Sequence, residues 1–117
     1  MKKVKEFKTP LYGVPFVVCS SREAAAEYLG EDHFIEGASA CAGSFDIDGI
    51  SHVLMIFDSP NDHCVSVIAH ESLHAAWDIL HVVGVEVSHD NQEPLAYLVG
   101  WCAKVANNFM IKHCEAK

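Results

Sequence analysis

Between His63 and Val83 apolar residues recur at helical spacing, and Gly84 follows where a left-handed residue would end a helix. A second helical pattern runs from about Asn91 to Ile111, with Pro94 in the first turn, where a missing N–H is tolerated. These patterns take up most of the second half of a 117-residue chain. The first half must therefore supply the apolar surface on which two amphipathic helices can pack.

That first half reads mainly as strands. Val14 to Cys19 is rich in Val and predicts a strand, with Pro15 suggesting a sheet edge. Ser20 or Ser21 can cap a short helix through Ala25, Ala26 and Tyr28, stopped by Gly30. The pattern from Glu31 to Gly43 is weak and is expected to be mostly loop. Ser44 to Ile47 and His52 to Phe57 flank Asp48-Gly49, a pair that marks a hairpin. The fold class expected is α+β: a small antiparallel sheet with a hairpin, packed on two long C-terminal helices, in a single domain over residues 1–117.

Composition removes several function classes. Eight basic against sixteen acidic residues give a formal charge of -8, so no basic groove for nucleic acid is expected. Lys2, Lys3, Lys5 and Lys8 read as a solvated N-terminal edge. No stretch approaches the roughly 18 apolar residues of a membrane span. The apolar run from Leu11 to Cys19 is broken by Gly13 and Pro15, so it is not expected to act as a signal peptide. No membrane partner is expected, and a cytoplasmic location follows, which for a phage-encoded chain means the host cytoplasm. The five cysteines form no C-x-x-C pair, and small buried residues in a reducing compartment are the expected role.

The chemistry concentrates in one place. His70-Glu71-Ser72-Leu73-His74 is an H-E-x-x-H sequence inside the first long helical pattern. Residues four apart stand one above the other on a helix, so both imidazoles can reach a single Zn²⁺. Glu71 is rotated by about 100° from His70 and flanks the metal without ligating it. There it is placed to act as the catalytic base, taking a proton from a metal-activated water and passing it to a leaving group. Glu93 is the first candidate for a third ligand, with eighteen residues between it and His74. His89 and Asp90, in the link before the second helix, are rivals for that position, with Glu86 behind them.

On these residues the chain resembles the gluzincin class of zinc metallopeptidases, whose H-E-x-x-H is followed eighteen or more residues later by a glutamate on the next helix. His70 and His74 match the two histidine ligands, Glu71 the general base and Glu93 the third ligand. The resemblance spans about Cys64 to Lys104 and implies a minimal zincin-like core. His70 to Ala75 and Glu93-Pro94-Leu95-Ala96-Tyr97 are also similar to small H-E-x-x-H proteins common in bacteriophage genomes.

Other residues near the motif carry two readings each. His63 and His81 recur with His70 and His74 near one helical line, beside Trp77. His81 is read as a substrate or ligand-orienting residue, or as a surface or hydrogen-bonded core histidine. Asp78 is read as a second support for a ligating histidine, or as a helix-surface charge. Tyr97 is a candidate oxyanion donor, or simply packs. Gly100 is expected to let the two long helices approach closely, and Lys104 to point to solvent. Leu95, Leu98, Cys102, Val105 and Phe109 form the core stripe. His52 to Phe57 is read either as an edge strand offering its backbone to an extended peptide, or as the sheet's own core strand.

Three functions follow as expectations. The first is a zinc-dependent metallopeptidase that hydrolyses peptide bonds of a peptide or protein substrate. The second is a catalytically inactive zinc-containing binding or accessory protein of phage type, since 117 residues leave little chain for a cleft. The third is a toxin, antitoxin or anti-defence partner that works through its acidic surface. The oligomeric state is not legible in the sequence.

Overall fold

A computed structural model describes residues 2–115 of the chain. Four strands, β1 (Val4–Lys8), β2 (Pro15–Cys19), β3 (Ala40–Ile47) and β4 (Ile50–Phe57), form one sheet in the order β1-β2-β4-β3. Three helices, α1 (Arg22–Leu29), α2 (Val65–Val82) and α3 (Glu93–Glu115), cover it. The architecture is α+β, as expected, but the sheet is mixed rather than antiparallel. β2 and β4 run parallel, with Phe16 opposite Val53 and Cys19 opposite Ile56, while β1–β2 and β3–β4 are antiparallel. The chain leaves β2 through α1 and returns through β3, so β4 comes back alongside β2 in the same direction.

Burial explains the strand order. Val53 to Phe57 on β4 and Phe16 to Cys19 on β2 are all buried. Such runs mark strands covered on both faces. The suggestion that Pro15 marks a sheet edge is therefore corrected, because β2 lies between β1 and β4. Pro15 is tolerated as the strand's first residue. The edge on that side is β1, and its exposed Lys5 and Lys8 are charges of the kind that discourage further pairing. The β3–β4 turn is the Asp48-Gly49 hairpin, with φ of 53° and 79°. β3 begins at Ala40, four residues before the expected Ser44.

Two apolar layers flank the sheet. On one face Phe16, Val18, Val53, Met55 and Phe57 pack with Ile68, Ala75, Ala76, Ile79 and Leu80 of α2 and with Leu98, Cys102, Ala106, Phe109 and Met110 of α3. On the other, Val17, Cys19, Leu54 and Ile56 pack with Ala25 of α1, against which Leu29 and Phe34 also rest. Ser21 caps α1 by accepting from the Ala24 N–H, and Gly30 closes it at φ 87°. The helix of the motif therefore has one buried face against the sheet and one face open to solvent.

Gly100 does not serve the expected close approach. It is exposed, and nothing stands within 4 Å of where its Cβ would be. Its backbone is helical and needs no glycine. Gly100→Ala is expected to stabilise the fold by about 1 kcal/mol through helix propensity, read as a higher urea midpoint at unchanged slope. A loss of stability would mean that the space beside Gly100 is filled in solution.

Candidate metal centre

α2 positions the motif. Its buried line runs through Ile68, Glu71, Ser72, Ala75, Ala76, Ile79 and Leu80. His70 and His74 fall on the exposed side of that line. Their Nε2 atoms stand 3.3 Å apart, with ring centroids 4.9 Å apart at 69°. Two nitrogens at zinc–imidazole distance from one tetrahedral ion stand about 3.3 Å apart. The two rings are therefore placed as a half-shell for such an ion, and the His70 ring keeps 68% of its side-chain surface open.

Glu71 sits differently from its neighbours. The residue is only 7% exposed, and its Oε2 lies 3.8 Å from His70 Nε2. Burial pushes the Glu71 carboxyl above its ordinary range, while His70 and His74 pull it back. A carboxylate short of water beside two imidazoles is well suited to accept a proton. The Ser72 hydroxyl, between Glu71 and His74 in sequence, is buried and has no hydrogen-bond partner among the described residues.

A cleft of about 430 Å³ opens beside this arrangement, lined by Ala38, Ser39, Ala40, Ser66, Val67, His70 and Glu71. One wall is the start of β3 and the loop that leads into it. That loop is tied down from α1, where Arg22 donates to Asp32 at 2.9 and 2.6 Å and pairs with Glu36 at 3.0 Å. The Arg22 guanidinium also lies over the Phe34 ring. The wall was missed by the sequence reading, which assigned this stretch to loop. Its run of small residues, Ala38-Ser39-Ala40-Cys41-Ala42-Gly43, is the signal that leaves room above the motif.

The strand beside the motif is β3, at the sheet's edge, and not His52 to Phe57. Of the two readings of His52 to Phe57, the structure takes the core strand, since β4 is flanked by β2 and β3. His52 itself is buried, with Nδ1 2.8 Å from the Ile50 carbonyl and Nε2 3.6 Å from Glu6.

The remaining candidates are spread out. Among the described residues no three His, Cys, Asp or Glu side chains are grouped so as to hold a metal ion. Glu93 opens α3 and is exposed. α2 continues for eight residues past His74 before ending at Val82, a rise of about 12 Å, and a link over 83–92 leads back to α3. Tyr97, one turn on, is 55% exposed. His89, Asp90 and Glu86 are exposed in the link, where Gln92 donates to the His89 carbonyl at 2.9 Å and Asn91 to the Glu86 carbonyl at 3.0 Å. His89 lines a separate cleft of about 510 Å³ with Trp77, Leu95, Ala96 and Val99.

Asp78 is partly buried and feels both His74 and His81, and burial raises its carboxyl. Among the described residues it hydrogen-bonds neither histidine. His81 is exposed on the last turn of α2. His63 leaves the helical line altogether, because it precedes α2 and turns toward α3, with Nε2 2.8 Å from Asn107 Oδ1.

No family model, no curated protein and no solved structure matches this chain. Among the described residues no helix is long and apolar enough to cross a membrane.

Proposed function

We propose that the chain is a zinc-dependent metallopeptidase with a minimal zincin-like core. The observation that carries the reading is the 3.3 Å separation of the His70 and His74 nitrogens above a buried Glu71. Zinc bound there would supply Lewis acidity and a water made nucleophilic at neutral pH. Glu71 takes the proton of the attacking water and delivers it to the leaving amine. His70 and His74 hold the ion, and Ala38, Ser39 and Ala40 leave the carboxylate open to a substrate. An extended peptide is recognised by adding to the free edge of β3, where backbone groups give affinity without demanding a particular side chain. Glu93 is the third ligand in this reading, and reaching the pair requires the link at 83–92 and the first turn of α3 to shift toward it.

A specific observation favours a second reading. With two histidines grouped and no third ligand beside them among the described residues, the centre also fits an accessory protein that holds zinc without turning over substrate. Elemental analysis of purified protein tests both. About one zinc ion per chain is expected in the wild type, and loss of it in His74→Ala. Absence of metal from the wild type would defeat both readings. Zinc kept fully in Glu93→Ala would move the third position to another donor or to solvent. Bound zinc without cleavage of unfolded protein substrates would select the accessory protein.

A further inference from the structure

A second cluster of reactive side chains lies just before the start of α2, against the C-terminal turns of α3, and owes nothing to the metal motif. His63 follows a short 3-10 turn (Pro60–Asp62) and lies between that turn and α3. Its Nε2 is 2.8 Å from Asn107 Oδ1, and its Nδ1 is 3.6 Å from Cys114 Sγ. An amide oxygen only accepts, so Nε2 carries the proton and Nδ1 presents its lone pair to the thiol. The Cys114 thiol has the Pro60 carbonyl, at 3.4 Å, as its other acceptor. The Phe57 ring meets His63 edge-on, at 6.4 Å and 81°, and covers one side of the imidazole. Nucleophile and orienting amide on α3 and base on the segment before α2 are thus aligned.

The other cysteines differ. Burial pushes the Cys19 and Cys102 thiols up to about 12 and raises that of Cys41. Cys64 is exposed at the start of α2, where the Ser66 hydroxyl lowers its thiol. Among the described residues, Cys114 alone has a histidine nitrogen facing its sulfur.

We propose that Cys114 is a reactive thiol site for low-molecular-weight disulfides, with His63 as its base and Asn107 as the residue that positions the imidazole. The proton passes from Cys114 Sγ to His63 Nδ1 as the sulfur attacks the disulfide. A Cys114 mixed disulfide forms, the S–S bond of the reagent breaks, and the departing thiolate takes the proton back from His63. The protein thiol is oxidised to the mixed disulfide, and the reagent is reduced to one thiol. Charge in this exchange stays on sulfur, so no oxyanion hole is required.

The test uses the full chain with Cys64→Ser, since serine is a favoured residue at a helix start. Oxidised glutathione is the probe, and adduct formation at Cys114 is followed by mass spectrometry at neutral pH. The expected result is a rate that falls about tenfold or more in His63→Gln and is restored to His63→Ala by added imidazole. Asn107→Leu is expected to slow the reaction and Asn107→Asp, which keeps an acceptor, to recover it. Far-ultraviolet circular dichroism checks that each variant is folded, and if the His63 variants unfold, the Asn107 pair decides. No adduct at Cys114, or a rate indifferent to both His63 and Asn107, overturns the proposal.

Discussion

Glu71→Gln is expected to lower peptide hydrolysis by about a hundredfold to ten-thousandfold while leaving the zinc content unchanged. The geometry separates the two roles. His70 and His74 present their nitrogens to one point on the exposed side of α2, whereas Glu71 belongs to the buried line and reaches the same cleft from below. Glutamine has the shape of glutamate and cannot accept the proton, so the half-shell should persist without its base. The metal-free variant should also be somewhat more stable than the wild type, since a neutral amide is less costly to bury than a carboxylate. Zinc measured on the same preparation as cleavage decides the outcome. Activity retained in Glu71→Gln would remove the residue from catalysis. Activity and zinc lost together would instead make it a structural support for the histidines.

Features that depend on neighbours in sequence were legible before the structure. Asp48-Gly49 specifies its turn by positive φ at both residues, and Ser21 and Gly30 bound α1 by local hydrogen bonding. The i, i+4 placement of His70 and His74 is likewise a property of one helix. What depends on registration between distant segments was not legible. The parallel pairing of β2 with β4 leaves no mark on either strand beyond continuous burial, which a central antiparallel strand would share. The strand Val4–Lys8 hides behind its lysines, because an edge strand buries little and its charges read as a solvated tail.

The candidate site divides along the same line. The spacing between His74 and Glu93 counts residues but not where the link at 83–92 sets the start of α3. The Cys114–His63–Asn107 alignment joins residues 51 and 44 positions apart, and no short motif could announce it. His63 falls on the helical line of the motif by sequence, yet Cys64 takes an extended conformation, φ −155°, and the helix starts only after it. A histidine that the sequence groups with the motif thus stands beside Cys114 instead.

Phe16→Ala is expected to cost about 3 to 5 kcal/mol, the largest loss of stability from any single truncation considered above. Phe16 is fully buried as the second residue of β2, its ring 5.7 Å from Trp101 of α3 and 6.5 Å from Phe7 of β1. Trp101 in turn meets Phe7 edge-on, at 6.5 Å and 90°, so three rings from β1, β2 and α3 form one contact. Removing this ring leaves a cavity beside its register partner Val53 and the rings of Trp101 and Phe7, which are held by their own strands and helix and have little freedom to collapse into it. Urea unfolding should show the loss as a lower midpoint with an unchanged slope. A Phe16–Trp101 double-mutant cycle should return a coupling of about 0.5 to 1.5 kcal/mol. A cost near that of a surface substitution would mean that α3 does not rest on this face of the sheet. The consequence reaches the histidine pair, because α3 packs against the inner side of α2 and the pair stands on the outer one. Zinc binding should therefore survive Phe16→Ala as long as the chain remains folded and disappear with the same urea midpoint as the fold, whereas loss of zinc in the still-folded variant would mean that α3 positions the pair directly.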